Sequence, residues 1–392
     1  MNTEQLTKKF MEKYGDNKHS YRVFNAPGRV NLIGEHLDYN GGYVLPAALE
    51  FGTTLVIRER DDKQISFAST NMSYEVVGSI KDDFNSKSDQ WTDYPVGVIK
   101  ELEKIGKSLT KGYDLLYHGD IPNGAGLSSS ASLEVVTAYA LLSMEGHETD
   151  TVEIAKLSQK AENLFVGVNS GIMDQFAVAN GRKDHAILLM CDTLEYELVP
   201  FQTGSYKIVI ANTNKRRGLV DSKYNERRSE CDQALEILQK EIPALQYLAQ
   251  LTPDQFKTLQ DSILNETVRR RAQHVVEENQ RVLDSVKALK NGDLEAFGQY
   301  MNQSHDSLRY LYEVTGDELD AMVEEFQRES GTLGARMTGA GFGGCTVALV
   351  HEDEVDKVIK AVAQGYETRT GLKPEFYVCG VGHGVHEIKE EI

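Results

Sequence analysis

The segment Asp120–Glu134 constrains this chain more than any other. It sets Gly124, Ala125, Gly126, Leu127 and the serine run Ser128, Ser129 and Ser130 between a strand-like stretch, Tyr113–His118, and an apolar helical stretch, Ala131–Leu142. Glycine lets a backbone come close to a ligand, and the free N–H groups at a helix start carry partial positive charge, so strand, loop and helix together suit a cradle for a triphosphate. An ordinary loop ending in a serine helix cap would read the same way. No Gly-Lys-Ser/Thr follows, which disfavours the P-loop nucleotidase fold and asks for another architecture. A second cluster, Thr338–Cys345, contains GxGxxG at Gly339, Gly341 and Gly344. Its glycines run into the strand-like Cys345–Val350 rather than a helix, so dinucleotide binding is set aside; a tight turn and a ligand contact both stay open.

Around these landmarks the pattern is mixed α/β. A polar amphipathic helix over residues 1 to about 15 is followed by strands near Tyr21–Phe24, Gly52–Arg58, Gln64–Ser69 and Tyr74–Val77, then helices at Val96–Leu102 and Val152–Val166. A strand pair is expected at Ala186–Met190 and Tyr206–Ala211, then a long helical region over about 220–330, and a β-α-β ending through Cys345–Val350, Asp353–Gln364 and Glu375–Val378. A chain of 392 residues suits two lobes, divided near residue 200 into 1–200 and 201–392. The 42 basic against 60 acidic residues leave a net charge of -18, which argues against nucleic-acid and membrane partners and obliges any ATP site to build its own local positive field. Cys191, Cys231, Cys345 and Cys379 lie far apart, without a CxxC pair, and are expected as reduced thiols. The N-terminal residues have no apolar signal core and no apolar run approaches membrane-spanning length, so a cytoplasmic protein is expected.

Two further segments hold chemistry. Glu35, His36 and Asp38 crowd together after the apolar Val30, Leu32 and Ile33 and before the turn Asn40–Gly42. A metal site or an ion-pair cluster with Arg29 would use the same residue types, but hydroxyl recognition explains them better: a buried acceptor left unpaired by the wrong epimer discriminates strongly. Asp174 sits among apolar neighbours in Val168–Phe176, just after the helix that carries Glu162. A lone Asp there is ordinarily a helix cap.

Taken together, Gly28–Gly42, Pro122–Ser132 and Thr338–Cys345 resemble the GHMP small-molecule kinases, and the first, with Glu35, His36, Asp38, Tyr39, Asn40, Gly41 and Gly42, resembles their galactokinase branch. Leu37 stands where Thr is commoner. The resemblance covers essentially the whole chain. It implies the GHMP fold, an α/β lobe and a ferredoxin-like C-terminal lobe with the site in the cleft between them, and ATP-dependent phosphorylation of galactose at its anomeric C1 hydroxyl, the first step of galactose catabolism. Asp174 would then accept the hydroxyl proton, with Arg29 beside it. Glu35, His36, Leu37, Asp38, Gly171 and Tyr224 would contact the sugar, Gly124 to Ser130 the phosphates, Ser69, Trp91 and Tyr94 the nucleotide, and Ser130 and Glu162 a Mg²⁺ ion. The chain is expected to act as a monomer on galactose and MgATP. A kinase for N-acetylgalactosamine and a catalytically silent galactose sensor are the competing readings; the unbroken Ser128–Ser132 and Asp174 speak against the sensor.

Overall fold

The computed structural model describes residues 1–79, 81, 83–122, 126–215 and 220–389. Its first sheet has six strands in the order β13-β1-β3-β6-β4-β5, where β1 is Tyr21–Asn31, β3 Pro46–Arg60, β4 Gln64–Ser69, β5 Val76–Ser79, β6 Gly112–Gly119 and β13 His386–Ile388. Pairing is antiparallel except between β4 and β6. Side chains alternate across a strand, and β1 is buried on both faces. On one face Val23 meets Leu6 and Phe10 of α1 (Thr3–Tyr14). On the other, Phe24 belongs to the main core, against which pack α2 (Asp93–Lys104), α3 (Ser129–Met144), α4 (Thr151–Ala161) and α5 (Met173–Asn180). Apolar residues surround α3 on every side, as a helix buried beneath others requires.

A three-stranded sheet joins β2 (Tyr43–Val44), β7 (His185–Met190) and β8 (Tyr196–Pro200). The expected pairing of Ala186–Met190 with Tyr206–Ala211 is therefore wrong: β7 pairs with β8, while β9 (Tyr206–Asn212) opens the next sheet. That sheet runs β10-β11-β9-β12, fully antiparallel, with β10 Thr332–Thr338, β11 Cys345–His351 and β12 Glu375–Cys379. One face carries α10 (Gly316–Arg328) and α11 (Val355–Thr370), through Phe326, Val358, Val362 and Tyr366. This strand order with two helices on one face is the ferredoxin-like arrangement. Between the sheets lie α6 (Val220–Leu238), α7 (Pro253–Leu259), α8 (Glu266–Lys290) and α9 (Leu294–Ser307). The last described strand, β13, returns to β1 as an edge of the first sheet and is clamped there by Arg22 and Glu387. No described helix is long and apolar enough to cross a membrane.

Candidate active site

A cavity of about 400 Å³ opens where the two large sheets approach each other; Arg29, Glu35, His36, Asp38, Asp174 and Tyr224 are among its walls. Arg29 arrives from β1 at a bulge between Pro27 and Arg29. The bulge brings β1 against the phosphate loop, where Arg29 N–H donates to the Leu127 carbonyl at 3.2 Å. Gly28 is needed for that approach, since a Cβ there would stand 2.9 Å from the same carbonyl oxygen.

Asp174 lies in the first turn of α5 and is gripped from two sides. Arg29 Nε donates to its Oδ1 and Nη2 to its Oδ2, both at 2.8 Å, and Ser128 Oγ donates to Oδ2. A carboxylate offers about four acceptor positions, and these donors fill three. Among the described residues no donor reaches the fourth, on Oδ1, and Asp174 lines the cavity. Arg29 also donates through Nη1 to the Gly126 carbonyl at 2.8 Å, which ties the Asp174 pair to the phosphate loop. The sequence places Ser128 with the phosphates; in the structure its hydroxyl is spent on Asp174, and its own backbone is left-handed at φ 61. Because Ser128 does not cap α3 with its side chain, the first-turn N–H groups of that helix stay available to an anion. Leu127 is buried and Ser129 exposed, while Gly124 and Ala125 lie outside the described residues.

Across the cavity, Glu35 and Asp38 behave differently. Glu35 is buried, and its Oε1 accepts from Gly339 N at 2.6 Å and from Thr338 Oγ1 at 3.1 Å. Its Oε2 takes Asn31 Nδ2 and lies 3.4 Å from Arg336 Nη2. Burial raises its carboxyl above the ordinary range, and Arg336 works the other way. Asp38 stands in a short 3₁₀ turn, Asp38–Asn40, and its carboxyl is pushed up to about 6, first by burial and then by the charge of Asp174. Gly171 is packed on the Asp38 carboxylate so closely that any Cβ would displace it. Leu37 is fully buried; it belongs to the core and not to the cavity wall, so its expected sugar contact is withdrawn. His36 is held neutral by burial, its pKa lowered to about 3. Its Nδ1 pairs with Tyr39 Oη at 2.9 Å, which pairs with Tyr312 Oη at 2.8 Å.

Glu162 is buried beside the same loop. Its carboxylate accepts from Ser170 Oγ at 2.5 Å and from Gln175 Nε2 at 2.7 Å, and the Ser130 hydroxyl nearby helps to lower its pKa. Burial raises its pKa, as it does that of Glu134, which shares Gln175 at 3.1 Å. The Ser130 hydroxyl and the Glu162 carboxylate are hard oxygen donors. Ser130 and Glu162 therefore fit Mg²⁺, which takes few protein oxygens and completes its shell with phosphate and water. The other expected nucleotide contacts lie outside this cavity: Trp91 Nε1 donates to the Tyr74 carbonyl at 2.8 Å, Ser69 Oγ accepts from Asn71 N at 3.1 Å, and burial raises Tyr94 to about 12.

The sequence gives Tyr39 no role beyond its place in the first motif, and assigns none to Tyr312, Gln175, Glu134 or Arg336. Two π-helical turns, Glu162–Val166 and Leu308–Tyr312, bring Glu162 and Tyr312 to the site, and such turns recur at functional sites. Neither turn has a sequence signal, but Glu134 had one: a carboxylate in an otherwise apolar helix.

Three family models match the chain: the galactokinase galactose-binding signature over residues 8–59, the GHMP kinases N terminal domain over 93–182 and the GHMP kinases C terminal domain over 285–368. A galactokinase of Fusobacterium nucleatum is 50% identical over 392 residues, covering 98% of this chain and 100% of its own length. The chain belongs to the galactokinase family. Another galactokinase, from Halalkalibacterium halodurans, is 51% identical over 387 residues, covering 98% of both chains. The crystal structure of Lactococcus lactis galactokinase complexed with galactose superposes with a TM-score of 0.94 at 45% identity, covering 98% of this chain and 99% of that one. Methanococcus jannaschii mevalonate kinase, at 20% identity and a TM-score of 0.68 over 93% of this chain and 99% of its own, shares the GHMP fold. The galactose-binding signature spans Arg29, Glu35, His36 and Asp38, all of which line the cavity.

Proposed function

We propose that this galactokinase-family enzyme transfers the γ-phosphoryl group of ATP to the C1 hydroxyl of galactose, giving galactose 1-phosphate and ADP. The observation that carries the reading is the Asp174 carboxylate, fixed by Arg29 and Ser128 with one acceptor position left toward the cavity. In this reading the C1 hydroxyl donates to Asp174 Oδ1, which aligns its oxygen for attack and receives its proton. Arg29 keeps the carboxylate in place and puts positive charge where the transferring phosphoryl group carries negative charge. The start of α3 receives ATP phosphate oxygens through its N–H groups. Ser130 and Glu162 would hold Mg²⁺, which when bound neutralises phosphate charge. Ser69, Trp91 and Tyr94 would serve the nucleotide's other end.

Asp38, Glu35, His36, Gly171 and Tyr224 form the sugar-reading wall. Asp38 supplies the acceptors, since Glu35 is largely committed to Thr338, Gly339 and Arg336. ATP as donor and four cysteines outside any disulfide suit the cytoplasm.

Steady-state phosphoryl transfer with galactose, its C4 epimer glucose, and N-acetylgalactosamine tests the assignment. Galactose is expected to exceed glucose in kcat/KM by about a hundredfold or more, because the wrong epimer leaves a buried acceptor unpaired. Equal turnover of glucose, or faster turnover of N-acetylgalactosamine, would overturn it.

A further inference from the structure

The loop between β10 and β11 is built almost entirely in left-handed backbone: Gly339, Gly341, Gly343 and Gly344 all have positive φ. Phe342 stands among them at φ 57, where glycine would be least strained. A bulky residue kept in that conformation points to a job for its side chain. Phe342 N–H donates to the Val314 carbonyl at 2.7 Å, which pins the residue to the end of the π-helical turn that carries Tyr312. Its half-buried ring receives two cations from α6: Lys223 Nζ lies 5.2 Å from the ring centroid and Arg227 Cζ 5.9 Å. Arg227 also donates through Nε to the Tyr312 carbonyl at 2.8 Å and through Nη2 to the Glu313 carbonyl at 3.1 Å. The start of α6 is thus held against the glycine loop and the π-helical turn together, and Tyr224, between the two cationic residues in sequence, enters the cavity from that point.

We propose that Phe342 is a positioning residue for sugar binding: its ring seats the cationic start of α6 and so fixes the depth at which Tyr224 enters the galactose cavity. The proposal rests on the reading that this cavity takes galactose. It explains why an aromatic side chain occupies the one place in the loop where strain must be tolerated to hold it.

Galactose Kd by calorimetry, KM for ATP and Tm are measured for wild type, Phe342→Leu, Phe342→Tyr, Lys223→Met and the Phe342→Leu/Lys223→Met double variant. Phe342→Leu is expected to raise the galactose Kd roughly three- to thirtyfold, the range of a cation–π contact, and to change the KM for ATP by less than about twofold. Phe342→Tyr keeps the ring and restores binding. Lys223→Met weakens galactose binding without lowering Tm, and adds nothing in the Phe342→Leu background, because both changes break the same contact. An unchanged galactose Kd in Phe342→Leu, an equal rise in the KM for ATP, or fully additive effects in the double variant would overturn the proposal. Should Phe342→Leu fail to fold, Lys223→Met decides alone: an unaltered galactose Kd contradicts the seat. Absence of galactose binding by the wild type would instead refute the assignment of the cavity.

Discussion

Asp174 and Asp38 face the same cavity, yet their surroundings have little in common. Asp174 receives donors from β1 and from the start of α3, so its oxygens are fixed before any ligand arrives. Asp38 is packed on Gly171, and no side-chain donor to its carboxylate comes from the described residues outside its own turn; burial and the charge of Asp174 lift its carboxyl to about 6. In the proposed reaction the first carboxylate serves the chemistry and the second, short of side-chain partners among the described residues, serves the sugar. A preorganised group contributes most to rate, whereas an unsatisfied buried acceptor contributes most to selectivity.

The largest expected effect tests the first half of that contrast. Asp174→Asn keeps the shape but replaces one acceptor oxygen with a donor, so kcat is expected to fall on the order of 10²- to 10⁴-fold while galactose still binds in calorimetry. A near-normal kcat would remove Asp174 from the reaction. Arg29→Lys breaks the two-point grip and the Gly126 contact, and should lower kcat by roughly tenfold to a hundredfold with a smaller change in galactose Kd. An effect confined to Kd would show that Arg29 serves the sugar instead.

The second half of the contrast has a pH signature. The Asp38 carboxyl in the folded protein is raised from 3.8 to about 6, so it takes up a proton as pH falls through 6 and loses acceptor capacity. Galactose Kd should therefore rise by about tenfold per pH unit below 6, and Asp38→Asn should flatten that slope. For folding the sign is opposite: the folded state holds this proton more tightly than the unfolded one, so Asp38 disfavours the fold increasingly as pH rises from about 4 to 6. A slope that survives in Asp38→Asn would assign it to another group. Smaller still, Gly171→Ala should weaken galactose binding several-fold by displacing the Asp38 carboxylate, with Tm little changed.

Much of this site is local in sequence and was legible there. Glu35, His36 and Asp38 stand within four residues, and Asp174 comes soon after the helix that carries Glu162. What each carboxylate does depends on contacts that span the chain. Glu35 meets Thr338 and Gly339, Arg29 meets Asp174, and His36 is oriented through Tyr39 by Tyr312; no local pattern announces such pairs. Leu37 was misplaced because the residues on either side of it line the cavity while its own side chain turns into the core. In the fold, β9 and β11 were visible as apolar runs, but β8 buries one residue of five and β13 has three residues, too little periodicity to register. The second glycine cluster proved to be the connection between β10 and β11, since Arg336 and Thr338 hide β10 behind polar side chains whose partners are buried.

The central claim is that the cavity presents the galactose C1 hydroxyl to Asp174 beside the phosphates of ATP. Its most direct test is ³¹P and ¹H NMR of the product formed from galactose and MgATP. The account requires one new phosphate resonance coupled to the anomeric proton, formed by the wild type and slowed by on the order of 10²-fold or more in Asp174→Asn. Phosphate on C6, or release of inorganic phosphate without a sugar phosphate, would contradict it.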